Sequence, residues 1–443
     1  MQVAWFALLL WSICLEGLGR KYLPAVPSVA FYLLKDVLLF VGYIRFPPPP
    51  FITGLARRLY GGFRIPLLLA FGWTVVEMFN PDHKSLPLAF LGLRAYWVWW
   101  IAPVVVAGVL RDAKTKRKAI MLLAVTAGAI AILAAVQFAS PPTSAVNLYT
   151  VQNGEEIYAD IATVHATGRA RVSGTFSFLS GFSAFTILVP ALLLSIGMTT
   201  DDKKVRTYAL VAMSMSAAVL PMSGSRSALF LGVGVLILTA YSAGLFFTRA
   251  GRRVMVGVIA GSILAATAFP DALTGLQARF ENREETSTRI LSTFEFLPPV
   301  AMATYEYPIG GLGTGMQQNA RFSIGVAADM NIEYENGRYL IELGPFGYLL
   351  FWSAKLGLCV ALMRCYRILK RANRRAAAGT ALSYTFVTVI GNLTFDHVWQ
   401  SLFFLGCGFI LSETASVLRQ PQAARTAEAP ALPVPRAAIA VPR

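Results

Sequence analysis

Hydrophobic segments long enough to cross a bilayer recur along almost the whole chain, separated by short basic runs. No other feature constrains the fold as strongly. Inside hydrocarbon a backbone must satisfy its own hydrogen bonds, so a span is either a helix or part of a closed barrel. A helical span takes about 20 apolar residues, and segments near that length fall at 4–18, 28–46, 64–79, 86–110, 118–138, 174–198, 207–222, 227–247, 254–270, 342–363, 378–394 and 398–418. The expected fold is an all-α polytopic membrane protein with about 12 transmembrane helices. Composition agrees: 56% of the 443 residues are hydrophobic and 14% are charged, with a mean hydropathy of +0.58. Soluble domains cannot bury that much apolar surface.

The formal charge of +16 does not converge on one soluble patch, so it speaks to topology and not to nucleic acid. Arg57, Arg58 and Arg64, then RDAKTKRK at 111–118, DDKKVR at 201–206, TRAGRR at 248–253 and RCYRILKRANRR at 364–375 all fall on one side of a twelve-span chain. The positive-inside rule makes that side cytoplasmic, together with both termini. The first segment, Trp5 to Cys14, lacks a basic leader and a small-residue cleavage site and reads as a retained anchor. Two long loops, about 139–173 and 271–341, then face away from the cytoplasm and are expected to contain short helices. The membrane domain is expected over 1–418, followed by an Ala- and Pro-rich tail at 419–443 that reads as disordered. Cys14, Cys359, Cys365 and Cys407 lie in or beside apolar segments without metal-ligand spacing, so no metal site is expected. No phosphate-binding glycine motif of a nucleotide enzyme is present, and no cofactor is implied.

Several polar residues stand out against this background. Arg226, in PMSGSRSALFLG, sits between two apolar segments near the outer membrane surface, where an arginine is costly unless it meets an anion, water or lipid headgroups. Its fork of donors matches phosphate oxygens, and Ser223, Gly224 and Ser225 leave the backbone open to close approach. Arg171, with Arg169 beside it, stands where the first loop enters a span; these arginines either join Arg226 on a diphosphate or stop the span at the headgroups. Arg289 is expected on a helix of the second loop. Glu335, Arg338 and Glu342 recur at helical spacing and would share one face. A carboxylate among them could take a proton from a sugar hydroxyl, and the plainer alternative is an ion-paired stripe of Arg338 with both glutamates. Gly337 could break that helix. His83, His165 and His397, each alone, read as structural.

Four stretches together resemble the O-antigen ligase and polymerase superfamily, bacterial membrane enzymes that move glycans off polyprenyl diphosphate. RVSGTFSFLSGFSAFTILVPALLL is similar to the family's Arg-x-x-Gly-x-Phe span entry, and SGSRSALFLGVGVLIL to its Ser-Arg segment. STRILSTFEFLPPVAMATYEYPIGGLGTG resembles its arginine-then-glycine loop, and ENGRYLIELGPFGYLLF its Asn-then-Leu-x-Glu-x-Gly entry. The resemblance implies a glycosyltransferase of the inner membrane, in which Arg171, Arg226 and Arg289 bind the diphosphate of an undecaprenyl-type donor. It places Asn336 at the substrate and Glu335 where ligases carry a histidine, a departure that favours a polysaccharide polymerase in O-antigen or exopolysaccharide synthesis over a ligase. Glu335 and Arg338 are then the catalytic candidates. The implied partners are a polyprenyl-diphosphate-linked glycan, membrane lipids and a chain-length regulator or other polysaccharide-assembly protein. A flippase for a lipid-linked saccharide is the alternative from another class, expecting charges near the middle of several spans.

Overall fold

A computed structural model describes residues 1–23, 27–83, 85–152, 155–158, 163–164, 167–247, 252, 256, 267, 269–272, 274, 277, 295, 297–318, 332 and 334–428. Its helices are α1 (Gln2–Cys14), α2 (Glu16–Tyr22), α3 (Ser28–Arg45), α4 (Pro50–Tyr60), α5 (Arg64–Val76), α6 (Leu86–Trp97), α7 (Ala102–Val109), α8 (Ala113–Ala139), α9 (Leu179–Thr199), α10 (Lys203–Ala218), α11 (Arg226–Ser242), α12 (Pro298–Thr304), α13 (Glu335–Arg371), α14 (Arg375–Ile390) and α15 (His397–Glu428). The α15 helix runs past the 418 boundary expected for the membrane domain.

Apolar residues surround α9, whose side chains from Gly181 to Gly197 are all buried under α10, α11, α14 and α15. A helix that is apolar on every side belongs at the centre of a bundle. Caps set several boundaries: Asp112 accepts from Thr115 N–H at 2.8 Å to start α8, and Asp202 accepts from Lys204 and Val205 N–H to start α10. Both lie at the end of the bundle where the basic runs meet. There Arg117 pairs with Asp202 at 2.7 Å, Lys116 with Glu413 at 2.5 Å, and Arg364 donates to the carbonyl of Arg58 at 3.1 Å. The runs at 57–58, 111–118, 201–206 and 364–375 thus share one end, as the charge pattern predicts; 248–251 lies outside the described residues.

The expected spans are met in part among the described residues. Among the described residues seven helices are long and apolar enough to cross a membrane, or eight if the pair Gln2–Cys14 and Glu16–Tyr22, bent by 59°, is one span. Of the other expected spans, α11 is a shorter apolar helix of 17 residues, α14 has 16, and α3 carries Lys35, Asp36 and Arg45. Segment 254–270 lies largely outside the described residues. The charges inside α3 are paired. Lys35 meets Glu16, while Asp36 meets Arg94 and accepts from Trp99 Nε1 at 2.9 Å.

The first long loop also differs from expectation, for it holds strands. Strand β1 (Leu148–Gln152) pairs antiparallel with β2 (Glu155–Tyr158), and β3 (Thr163–Val164) with β4 (Arg169–Ala170). The second loop contains the short helix α12.

The largest departure is in α13. The expected helix through Glu335, Arg338 and Glu342 forms, but breaks at Gly344 (φ 64°, ψ 177°), followed by Pro345, which cannot donate into a helix ladder. A continuous helix would hold Glu335 and Lys355 about 30 Å apart, yet their side chains touch at 3.1 Å. Residues 335–343 therefore fold back along 345–371 as a hairpin, with the Tyr339 ring 4.6 Å from that of Phe351. The break does not fall at Gly337, where an added Cβ would meet the Tyr305 ring at 2.7 Å.

Candidate functional site

The end opposite the basic runs gathers most of the polar residues singled out by the sequence. After β4, the Val172 N–H donates to the Met222 carbonyl at 3.2 Å and Arg171 Nε to the Ser223 carbonyl at 3.2 Å. Gly224 sits at φ +61°, and a Cβ there would lie 3.2 Å from Arg171 Nε. Only glycine lets the turn come this close to the guanidinium. Ser225 then caps α11, its Oγ accepting from Ala228 N–H at 3.3 Å, and Arg226 is the first helical residue, half-buried. The structure thus brings Arg171 onto the turn that carries Arg226.

Arg169 has a different setting. Its Nε pairs with Asp271 at 2.8 Å, with the two side chains 40% and 39% exposed, and its Nη1 donates to the Ala139 carbonyl at 3.3 Å. A solvated pair of this kind contributes little energy. Arg289 lies outside the described residues.

Two further cations approach the same segment, and sequence reasoning passed over them. Lys21 Nζ donates to Ser173 Oγ at 2.8 Å, and Arg20 Nη1 to Ser177 Oγ at 3.2 Å. Both sit on α2, which presses its backbone against Thr175–Ser177 at Gly17. Their only sequence signal is the basic pair in EGLGRKYL at the end of the first apolar segment.

The α13 hairpin supplies the second half of the site. Glu335 Oε1 accepts from Thr394 N–H at 2.7 Å and Oε2 from Lys355 Nζ at 3.1 Å, in surroundings that leave the two ion-paired side chains 8% and 4% exposed. The partner of Glu335 is therefore Lys355, and the stripe expected from spacing does not describe it. Asn336 Nδ2 donates to the Glu295 carbonyl at 2.7 Å, and its buried Oδ1 has no partner among the described residues. Arg338 Nε donates to the Ile332 carbonyl at 2.5 Å and its guanidinium lies 5.3 Å from the Phe395 ring centre.

Glu342 is wholly buried and ties the glycine loop to the hairpin. It accepts from Tyr96 OH at 2.9 Å, Gly315 N–H at 3.0 Å and Gln317 N–H at 2.5 Å. The loop's Leu312 and Gly313 N–H groups donate to the carbonyls of Ile341 and Glu342 at 2.7 and 3.0 Å. Gly311, Gly313 and Gly315 all have positive φ with backbone or side-chain atoms packed where a Cβ would stand. The last three glycines of PIGGLGTG are explained by this close packing, and no phosphate need be invoked for them.

The two halves are linked through the first helices. Glu16, on α2 beside Arg20 and Lys21, pairs with Lys35 on α3; Lys35 Nζ lies 5.6 Å from the Tyr32 ring, and that ring lies 4.3 Å from His397, three residues beyond Thr394. Among the described residues no group of His, Cys, Asp or Glu could hold a metal ion. No family model matches the chain, and no curated protein matches it.

Proposed function

We propose that this chain is a membrane glycosyltransferase that moves a saccharide from a polyprenyl diphosphate to an acceptor hydroxyl, polymerising lipid-linked units of an O-antigen or exopolysaccharide at the bacterial inner membrane. The observation that carries the reading is the packing of Arg171 on the Ser223–Arg226 turn, with Lys21 and Arg20 on the adjoining segment. Cations gathered in this way suit the oxygens of a diphosphate. The likeness to the O-antigen ligase and polymerase superfamily points to the same chemistry, and the basic end of the bundle would face the cytoplasm.

The transfer needs little more than holding and charge stabilisation, because the diphosphate is already a good leaving group. The acceptor oxygen attacks the anomeric carbon, the bond from that carbon to the phosphate oxygen breaks, and its electron pair leaves with the diphosphate. Arg171 and Arg226 stabilise that growing charge. Glu335 takes the hydroxyl proton; Thr394 N–H holds its Oε1 and Lys355 Nζ its Oε2. Arg338 and Asn336 flank the base and orient the sugar.

A second reading, a flippase for the same lipid, draws on the buried pairs Lys35–Glu16, Arg94–Asp36 and Lys355–Glu335 within the helical bundle. Reconstitution with a polyprenyl-diphosphate-linked repeat unit separates the two. Longer products that disappear in Arg226→Ala support the polymerase; translocation without extension replaces it with the flippase, and products joined only to a lipid A core make the chain a ligase.

A further inference from the structure

Among the described residues, three side chains that the mechanism above does not use leave hydrogen-bonding atoms buried and unpartnered, two of them beside the Tyr32 ring. Arg94 is held by Asp36 through Nε and by the Tyr32 carbonyl through Nη2 at 3.0 Å, and its guanidinium lies 4.0 Å from the Tyr32 ring centre. Its side chain is 10% exposed and its Nη1 has no partner. His397 packs edge-on against the same ring at 4.3 Å, and its Nδ1 has no partner. Gln400, one turn further along α15 and wholly buried, donates Nε2 to the carbonyl of Ala95, the residue after Arg94, at 2.5 Å; its Oε1 has no partner.

Buried donors and acceptors are almost always satisfied, since leaving one unmade costs about 1–3 kcal/mol. Three occur where α6 meets α15, two of them beside a ring from α3, and such a set would suit a polar guest. The chemistry of the set narrows the guest. Arg94 is already neutralised by Asp36, so a further full negative charge is not called for. What remains is a donor on Arg94, an acceptor on Gln400 and an imidazole nitrogen that serves as either, beside an aromatic ring. Neighbouring hydroxyls of a sugar present that combination, each hydroxyl accepting and donating at once. Both Tyr32 and His397 are half-buried and lie at the end opposite the basic runs, while the three unpartnered atoms themselves are closed to solvent.

We propose that Arg94, His397 and Gln400, with the Tyr32 ring, form the subsite for the acceptor saccharide. The proposal rests on the glycosyltransferase reading and extends it. Position favours the acceptor: His397 follows by three residues Thr394, whose N–H holds Glu335, the carboxylate assigned to the acceptor's proton.

The test uses the full chain in nanodiscs and, as probe, the free oligosaccharide released by mild acid from the lipid-linked repeat unit of cells that express the protein. His397→Phe keeps the ring packed on Tyr32 and removes the nitrogen; Arg94→Lys keeps a cation for Asp36 and removes Nη1. Saturable binding of the oligosaccharide to the wild type, weakened at least tenfold in both variants, is expected. In the extension assay both variants should show a raised KM for the acceptor, with an unchanged KM for the lipid donor and unchanged thermal midpoints. If the wild type extends chains and the variants match it in acceptor KM and binding, the cluster holds only water and the subsite is overturned while the transferase reading stands. If the wild type makes no longer product, that reading fails, and direct binding alone decides the subsite: binding lost in both variants keeps it, and any other result removes it.

Discussion

Glu335 and Lys355 stand 20 positions apart in the chain, and Lys355 Nζ nonetheless lies 3.1 Å from Glu335 Oε2. This pair fixes the fold of the candidate site. It closes the hairpin that Gly344 and Pro345 open, and sets the Glu335 carboxylate against the loop that carries Thr394 and leads into α15.

Breaking the pair from one side should therefore cost more than removing it whole. Lys355→Met leaves a buried carboxylate with one N–H partner, and such one-sided losses cost about 3–5 kcal/mol. Lys355→Met combined with Glu335→Gln should recover most of that stability. Unfolding of the detergent-solubilised protein checks both; equal stability of the single and double variants would show that the two side chains do not depend on each other.

The arginines separate by setting. Arg226→Ala and Arg171→Ala should abolish polymer in cells while the protein remains in the membrane, because each removes a donor from the proposed diphosphate corner. Arg169→Ala should leave polymer within about twofold of the wild type, since its exposed pair with Asp271 is worth at most about 1 kcal/mol. Polymer length on gels, normalised to membrane-inserted protein, reads all three; loss of polymer in Arg169→Ala would move that residue into the binding site.

Much of this arrangement was legible in the sequence, and what was not has identifiable causes. The basic runs met at one end because charge patterning reports topology directly. Arg171 and Arg226 could be associated because each opens an apolar segment, and residues in such a position must find an anion, a headgroup or a backbone acceptor. The return of residues 335–343 along the following helix was hidden: their spacing is helical either way, and only the distant Lys355 distinguishes a hairpin from a straight entry. The pairing of the charges in α3 was hidden for a related reason. Lys35 and Asp36 find Glu16 and Arg94 far along the chain, and hydropathy scanning is blind to such pairing. Arg20 and Lys21 were missed because two basic residues at the end of an apolar segment look like an ordinary stop.

Glu342 offers a test of the glycine loop. Its carboxylate receives two backbone N–H groups and the Tyr96 hydroxyl. Glu342→Gln places an amide NH2 where one of those donors must be accepted, so the variant should lose about 2–4 kcal/mol of stability. Glu342→Gln should also reduce extension by displacing the loop, with a lower yield of folded protein. Full stability together with lost activity would instead make Glu342 a participant in the chemistry.

The glycines next to that carboxylate can be distinguished by neighbouring substitutions. Gly311 has φ +75°, and a Cβ there would stand 2.5 Å from the Glu342 carbonyl oxygen and 2.9 Å from Gly344 N. Gly310, one position earlier, has nothing within 4 Å of the same point. Gly311→Ala must both enter an unfavourable backbone region, at about 1–2 kcal/mol, and push apart the loop and the hairpin break. Gly310→Ala meets neither difficulty and should leave stability within about 0.5 kcal/mol of the wild type. Thermal midpoints of the two purified variants decide the matter. Equal midpoints would mean that the loop does not pack against the break between the two arms of α13, and the close association of Glu342 with the glycine loop would have to be abandoned with it.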